Sequence, residues 1–337
     1  AFSKQTQTNA QIRDLGLLQR QVLWLSSWLI HHANHVRPSR DGLKVGGHQA
    51  SSASLVTIMS ALYGAILRPQ DKVAVKPHAS PVLHALNYLA GHTNKAQLQN
   101  FRGLGGAQSY PSRTKDKIRV DFSTGSVGLG PAITIFASVV QDYLHAHGKL
   151  KHPLGRMIAL LGDAELDEGN IYEALLEGWK HNLRNVWWVI DYNRQSLDGV
   201  VREGLWARIE AIFTAFGWRV VRVKHGALQR AAFAEPGGTR LRDWIDACPN
   251  ALYSALIFQG GAAWRKRLTD DLGTLVGRIT PTVRKVVGRL PSGRAVMGMA
   301  DVLVLNDPIT GQGSNNASKC ATIYQEAITA HGAAAFD

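Results

Sequence analysis

Two short apolar runs, Met157–Leu161 and Val186–Ile190, give the chain its clearest pattern. Each has the length of a buried strand. The first stops at Gly162-Asp163 and the second at Asp191-Tyr192-Asn193. Between them Ile171, Ala174, Leu175 and Gly178 recur at the spacing of one helix face. Strand, helix, strand at this length predicts a βαβ unit with parallel strands. The alternation extends outward. Residues 11–36 read as a helix, with Leu17, Leu18, Val22, Leu25, Leu29 and Ile30 on or near one face. After Gly46-Gly47-His48-Gln49 a second helix is expected over Ser51–Leu67, with Ser51 and Ser52 as candidate caps. A short strand follows over Asp71–Ala74, then a helix entered through Pro77–Pro81 and running to Leu89. Residues 102–131 are rich in Gly, Ser and Thr and predict long loops, which in a compact domain tend to be functional. A helix over 132–147 precedes the βαβ unit, and another α/β repeat spans Trp206 to about Val223. The whole predicts an α/β fold, a doubly wound parallel sheet with helices on both faces.

Composition narrows the class. The 337 residues suffice for one large domain or two medium ones, and 45% hydrophobic content supports a substantial core. Two cysteines, Cys248 and Cys320, are too few for a disulfide framework, so a reducing, cytoplasmic setting is expected. No apolar run reaches membrane-spanning length, and no signal peptide is expected. The net charge of +13 is spread without a run of five basic residues or an aromatic-interleaved stripe, which argues against nucleic acid as the main partner. It suits anionic cofactors and substrates.

The chemistry gathers where the two apolar runs stop. Strands of a βαβ unit end at the same sheet edge, so Asp163 and Asn193, thirty positions later, are expected side by side there. A carboxylate, an amide oxygen and a nearby backbone carbonyl are hard ligands. They suit Mg²⁺ or Ca²⁺ that also holds phosphate oxygens.

The stretch Gly162-Asp163-Ala164-Glu165-Leu166-Asp167-Glu168-Gly169-Asn170, followed by Asn193-Arg194-Gln195-Ser196-Leu197-Asp198-Gly199, resembles the thiamine diphosphate motif of the transketolase superfamily. The likeness is strongest to the homodimeric decarboxylating component of pyruvate dehydrogenase and its transketolase-like relatives. Three further segments resemble that family in the same order: Gly46-Gly47-His48 with Ser51, Lys76-Pro77-His78-Ala79-Ser80-Pro81, and Ser123–Pro131. One position departs from the motif, Ala164 for Gly, which is tolerable if φ there is negative.

The resemblance implies thiamine diphosphate with Mg²⁺ or Ca²⁺ as cofactor, and a 2-oxo acid or a ketose such as a sugar phosphate as substrate. It implies Asp163, Asn193 and the Gln195 carbonyl as metal ligands. His48, Ser51, His78, Gly125, Ser126, Val127, Gly162, Ala164 and Glu165 would contact the cofactor. His48, His78 and Glu168 would also serve catalysis. Glu168 falls where transketolases place a glutamate linking the two active sites of a dimer, and Tyr110 would face substrate. The expected partner is a second copy of the chain or a separate pyrimidine-binding subunit.

The family likeness runs over residues 11–272, and domain boundaries of 1–272 and 273–337 are expected. The first domain is expected to be incomplete at its C-terminal end, and a pyrimidine-binding domain is not found after it. Residues 273–337, with Asp301 and Pro308-Ile309-Thr310-Gly311-Gln312-Gly313, resemble the flavin-contacting part of styrene-monooxygenase-type flavoproteins. No dinucleotide-binding Gly-x-Gly-x-x-Gly turn stands upstream, so FAD binding is not expected. A flavin-dependent monooxygenase and a non-catalytic fusion or remnant are the alternatives. Among rival sites, His31 and His35 are spaced for a metal on one helix but have no third ligand nearby, and Lys115-Asp116-Lys117 reads as a surface loop.

Overall fold

The computed structural model describes residues 9–275, except 193, 194, 197, 198, 224, 226 and 260. Helix α1 (Asn9–His31) runs on into a π-helical turn, His32–Val36, and α2 (Gln49–Ala61) into another, Leu62–Ile66. Strand β1 (Lys72–Ala74) leads through a tight turn, Pro77–Ala79, into α3 (Ser80–Leu89). A short α4 (Lys95–Gln99) is capped by the Asn94 side chain, which accepts from the Gln97 N–H at 3.0 Å. Then come α5 (Leu129–Ala146), β2 (Met157–Gly162), a 3₁₀ turn (Asp163–Asp167), α6 (Gly169–Lys180) and β3 (Val186–Asp191). A small hairpin, β4 (Gln195–Ser196) with β5 (Gly199–Val200), precedes α7 (Leu205–Ala215). Helices α8 (Ala227–Phe233), α9 (Gly238–Ala247), α10 (Asn250–Gln259) and α11 (Gly261–Leu272) close the described chain around a core of their own, built on Leu241, Ile245, Tyr253, Trp264 and Leu268.

The three long strands form a parallel sheet in the order β1-β2-β3. The period-2 alternation of strand side chains divides this sheet between two cores. Val73, Ile158, Leu160, Trp187 and Val189 face Val22, Leu25, Leu55, Met59, Val82 and Leu86 of α1, α2 and α3. Ala74, Met157, Ala159, Leu161, Trp188 and Ile190 face Ile171, Leu175 and Phe213 of α6 and α7. Every residue of β2 is buried, which explains why it reads as an unbroken apolar run rather than an alternating one. The expected parallel sheet with helices on both faces is what forms.

At the amino edge of the sheet Asp71 fastens the first two strands. It accepts from the Arg156 N–H at 2.8 Å, from Arg156 Nε at 2.9 Å and from the Arg68 N–H at 2.8 Å. The Arg156 guanidinium lies over the Trp187 ring at 4.2 Å, so one side chain spans all three strands.

Four details differ from the sequence reading. Helix α2 begins at Gln49, so Ser51 and Ser52 lie inside its first turn and cap nothing; Ser52 Oγ instead donates to the His78 carbonyl at 3.1 Å. Helix α5 begins at Leu129, three residues early, because Gly128 takes the left-handed conformation (φ 82°) that turns the loop into it. The repeat from Trp206 yields α7 but no second strand among the described residues. Trp218 is drawn onto the sheet face against Trp188 (ring centroids 5.1 Å apart), and Val220, Val221 and Val223 stay exposed with no ladder partner. Within Lys115-Asp116-Lys117 only the lysines are exposed. The Asp116 carboxylate is buried and accepts from the Gln108 and Ser112 N–H groups at 3.1 and 2.9 Å, tying down the long loop. That loop also covers the free edge of β1, where Asp121 accepts from the Val73 N–H at 3.1 Å.

Candidate functional site at the carboxyl edge of the sheet

Parallel strands deliver their last residues to one edge. Gly162 ends β2, Asp191 ends β3, and the two are register partners. Two residues beyond β1 the chain places Lys76, almost fully buried, with its Nζ 3.6 Å from Asp191 Oδ2. Ser54 of α2 donates to the same oxygen at 2.5 Å, while Asp191 Oδ1 is buried with no hydrogen-bond partner among the described residues. Glycine at 162 leaves room for the lysine end. A Cβ at that position would meet Lys76 Nζ at 3.0 Å.

The turn after β2 carries the acids. Asp163 is 3% exposed and its Oδ1 accepts from the Ala164 N–H at 3.1 Å. Ala164 is absent from the positive-φ residues, so the departure from glycine in the motif brings no backbone strain. Glu165 turns inward and accepts from the Gly162 N–H at 3.2 Å and the Gly128 N–H at 3.3 Å. Burial pushes its carboxyl pKa up, opposed by those two N–H groups and by Lys76, and reinforced by Glu168. Through Glu165 the Gly-rich turn is locked to the acidic one. Gly128 packs so closely on the start of α6 that a Cβ would meet Asn170 and Glu168 at 2.8 Å. Thr124 Oγ1 anchors the same turn to the Val75 carbonyl at 2.6 Å. Gly125 and Ser126 are left exposed and Val127 half-buried, with main-chain groups open to a ligand.

On the α2–α3 side the rings of His48 and His78 lie 4.4 Å apart, and Tyr110 stands 5.9 Å from His78. Burial lowers the pKa of His78 to about 4, helped by His48, Lys76 and Arg102; His48 is lowered by burial, then by Arg102 and Lys76. Both imidazoles are therefore neutral at pH 7, each with one donor and one acceptor nitrogen. Arg102 holds the loop in place, donating from Nη1 to the Val45 carbonyl at 2.6 Å from a backbone with φ 60°.

The sequence-derived candidates distribute as follows. His48, His78, Gly162, Asp163, Ala164 and Glu165 gather along this edge, with Gly125, Ser126 and Val127 on the adjoining turn. Ser51 is half-buried in the first turn of α2. Glu168 is exposed at the start of α6, beside Gly128. Asn193 lies outside the described residues. The backbone of Gln195 is in β4, which packs against the Asp163–Asp167 turn. Among the described residues no three His, Cys, Asp or Glu side chains converge on a common point. An oxygen site for a metal would have to join Asp163 to amide and carbonyl oxygens, as the motif implies. His31 and His35 stack at 5.0 Å without a third ligand among the described residues. Sequence reasoning missed Lys76, Asp191 and Ser54 as site residues. The available signal was a lysine between Val75 and Pro77 at the end of a buried strand, and a second aspartate ending an apolar run.

Residues 47–234 match the family model "Transketolase, thiamine diphosphate binding domain", and the chain belongs to that family. The pyruvate dehydrogenase E1 component of Mycolicibacterium smegmatis is 31% identical over 218 residues, covering 61% of this chain and 23% of its own. The Escherichia coli protein of the same name is 32% identical over 316 residues, 86% of this chain and 36% of its own. The chain thus spans well under half the length of these relatives. Among solved structures, transketolase from Leishmania mexicana superposes with a TM-score of 0.54 at 16% identity, over 94% of this chain and 47% of that one. Transketolase from Campylobacter jejuni gives 0.54 at 18%, over 95% and 49%. At such identities these two establish the shared fold.

Proposed function

We propose that this chain binds thiamine diphosphate with Mg²⁺ or Ca²⁺. In our reading it forms the diphosphate-binding part of an enzyme that decarboxylates a 2-oxo acid or transfers a ketol unit from a ketose. One observation supports this best. A buried Asp163 follows the last residue of the central strand beside a glycine-rich turn, at the sheet edge that also carries a pair of neutral histidines. The donor chemistry fits the group. Asp163, the Asn193 side chain and the Gln195 carbonyl are hard oxygen ligands for the metal, and the exposed main chain of Gly125–Val127 would hold the aminopyrimidine. Bound thiamine diphosphate would supply the carbon nucleophile and electron sink, and the protein supplies position and electrostatics. His48 and His78, uncharged at neutral pH, would donate to and accept from a carbonyl or carboxylate without the cost of burying a charge. The flavin-dependent alternative rests on residues beyond 275, outside the described part of the chain, and nothing in the site favours it. Calorimetry with thiamine diphosphate and Mg²⁺ tests the proposal. Saturable, Mg²⁺-dependent binding is expected, and its absence would remove the assignment.

The partner we propose is a second copy. Leu129, Ile133, Phe136, Val140 and Tyr143 of α5 are each 40–56% exposed, spaced 4, 3, 4, 3 along one stripe, with Leu176 and Trp179 of α6 beside it. That is the seam spacing of paired helices. The stripe is self-complementary. In an antiparallel pair Phe136 meets its copy, Ile133 meets Val140 and Leu129 meets Tyr143, as a twofold interface requires. Glu168 lies near the amino end of this stripe, where a role linking the two sites would place it. Phe136→Asp should turn a dimer into a monomer in sedimentation at micromolar concentration; a wild-type chain that is already monomeric there would overturn this reading. No helix among the described residues is long and apolar enough to cross a membrane, and the buried, reduced Cys248 fits a reducing, cytoplasmic setting.

A further inference from the structure

Lys76 is a buried charge with a long ion pair. Its side chain is 7% exposed, and among the described residues the carboxylate within 4 Å of it is Asp191 at 3.6 Å, beyond hydrogen-bond distance. An ammonium has three donors, and burying it without acceptors is costly. Asp191 meets the need only in part, because the pair stands at 3.6 Å, Ser54 holds its Oδ2, and its Oδ1 has no hydrogen-bond partner among the described residues. The surroundings nevertheless make room for the ammonium. Gly162 lacks the Cβ that would collide with Nζ, and it immediately precedes Asp163. The charge is central to the edge, acting on His48 and His78 to one side and Glu165 to the other.

We propose that Lys76 is a binding residue for the phosphate oxygens of the cofactor, a fixed cation that shares with the divalent metal the neutralisation of the diphosphate. The inference rests on the thiamine diphosphate reading above and adds to it a contact made by a side chain of this particular chain. Its physical sense is charge balance. A diphosphate ester beside Asp163 carries more negative charge than one divalent ion cancels, and the remainder needs a cation that does not dissociate. Asp191 and Ser54 then act as the bracket that aims the ammonium, with the long ion pair leaving its donors free for the ligand.

Inorganic pyrophosphate is the sharpest probe, because it carries the phosphate chemistry without the thiazolium and pyrimidine rings. Calorimetry would compare the full-length wild type, Lys76→Met and Lys76→Gln, each with pyrophosphate, thiamine diphosphate and thiamine, in Mg²⁺ and again in EDTA. Met keeps the buried methylenes packed and Gln keeps a neutral donor, so matched unfolding midpoints will show that both variants fold. Removing a charge-assisted contact should weaken pyrophosphate and thiamine diphosphate about 10–100-fold in Lys76→Met and less in Lys76→Gln. The loss should persist in EDTA, and thiamine binding should be unchanged. Variants that bind pyrophosphate as the wild type does, or that lose thiamine equally, would overturn the role of Lys76 while leaving the cofactor assignment standing. A wild type that binds neither phosphate ligand would instead overturn the cofactor assignment, and this inference with it.

Discussion

The two ends of the same three-stranded sheet solve the problem of a buried ion pair in opposite ways. At the amino edge Asp71 receives N–H groups from Arg156 and Arg68 together with the Arg156 fork, and both its oxygens are occupied. Burial alone would raise its pKa, but the Arg156 and Arg68 contacts outweigh it and hold the carboxyl below the usual carboxylate range. At the carboxyl edge Asp191 and Lys76 are at least as buried, yet they stand 3.6 Å apart with one carboxylate oxygen unpaired. One pair is closed and the other is open. A buried pair with all its hydrogen bonds made is a fastening, whereas one with donors and acceptors to spare is arranged for something that arrives later. The glycines and the neutral histidines stand at the open end.

The comparison can be broken most forcefully at the closed end. Asp71→Ala leaves the Arg156 guanidinium buried without its partner, and about 3–5 kcal/mol of stability should disappear in urea unfolding. Pyrophosphate affinity of the molecules that remain folded should be unchanged. A loss of binding without a loss of stability would show that the two ends are not divided as argued.

The reverse experiment belongs at the open end. Asp163→Ala should weaken Mg²⁺-dependent thiamine diphosphate binding by about 2–4 kcal/mol in calorimetry, the scale for losing one partner of a buried charged contact. Unaltered cofactor affinity would remove the metal assignment.

The smallest effect concerns pH. His78 has a folded pKa of about 4 against an ordinary 6.5, so between these values the unfolded chain binds the proton and the folded one does not. Stability should therefore fall as pH drops through that window. Glu165, whose pKa is raised, works the other way below its folded pKa, because the folded state takes its proton first. His78→Asn should remove the first contribution and keep the second. The fall in melting temperature between pH 7.5 and pH 5 should be smaller in the variant than in the wild type. Equal falls would mean that His78 is not held neutral by its surroundings.

Much of this was legible in the chain, and what was not has identifiable causes. Met157–Leu161 announces itself because a strand buried on both faces has no polar positions to blur the pattern, and Val186–Ile190, though only half-buried, sends apolar side chains to both cores. The motif around Asp163 announces the edge, because a ligand site there depends on a few residue types at fixed offsets. Ser51 and Ser52 misled because a serine at a helix start can cap or can bond across the fold, and Ser52 spends its hydroxyl on the His78 carbonyl. The strand expected before Val223 needed a ladder partner, a property of the neighbours rather than of the valines. Lys76 and Asp191 escaped notice for a similar reason. They lie 115 positions apart, and the pairing of β1 with β2 and of β2 with β3 brings them to one point.

The missing side chain of Gly162 also constrains how this sequence can change over time. The absent Cβ leaves the space beside which the Lys76 ammonium stands, so the two positions bear on each other. Alanine at 162 would press on Nζ at 3.0 Å and push the lysine end aside by a few tenths of an ångström, away from its present aim. Homologues compared position by position should therefore favour glycine at 162 more strongly where a lysine stands two residues before the histidine than where it does not.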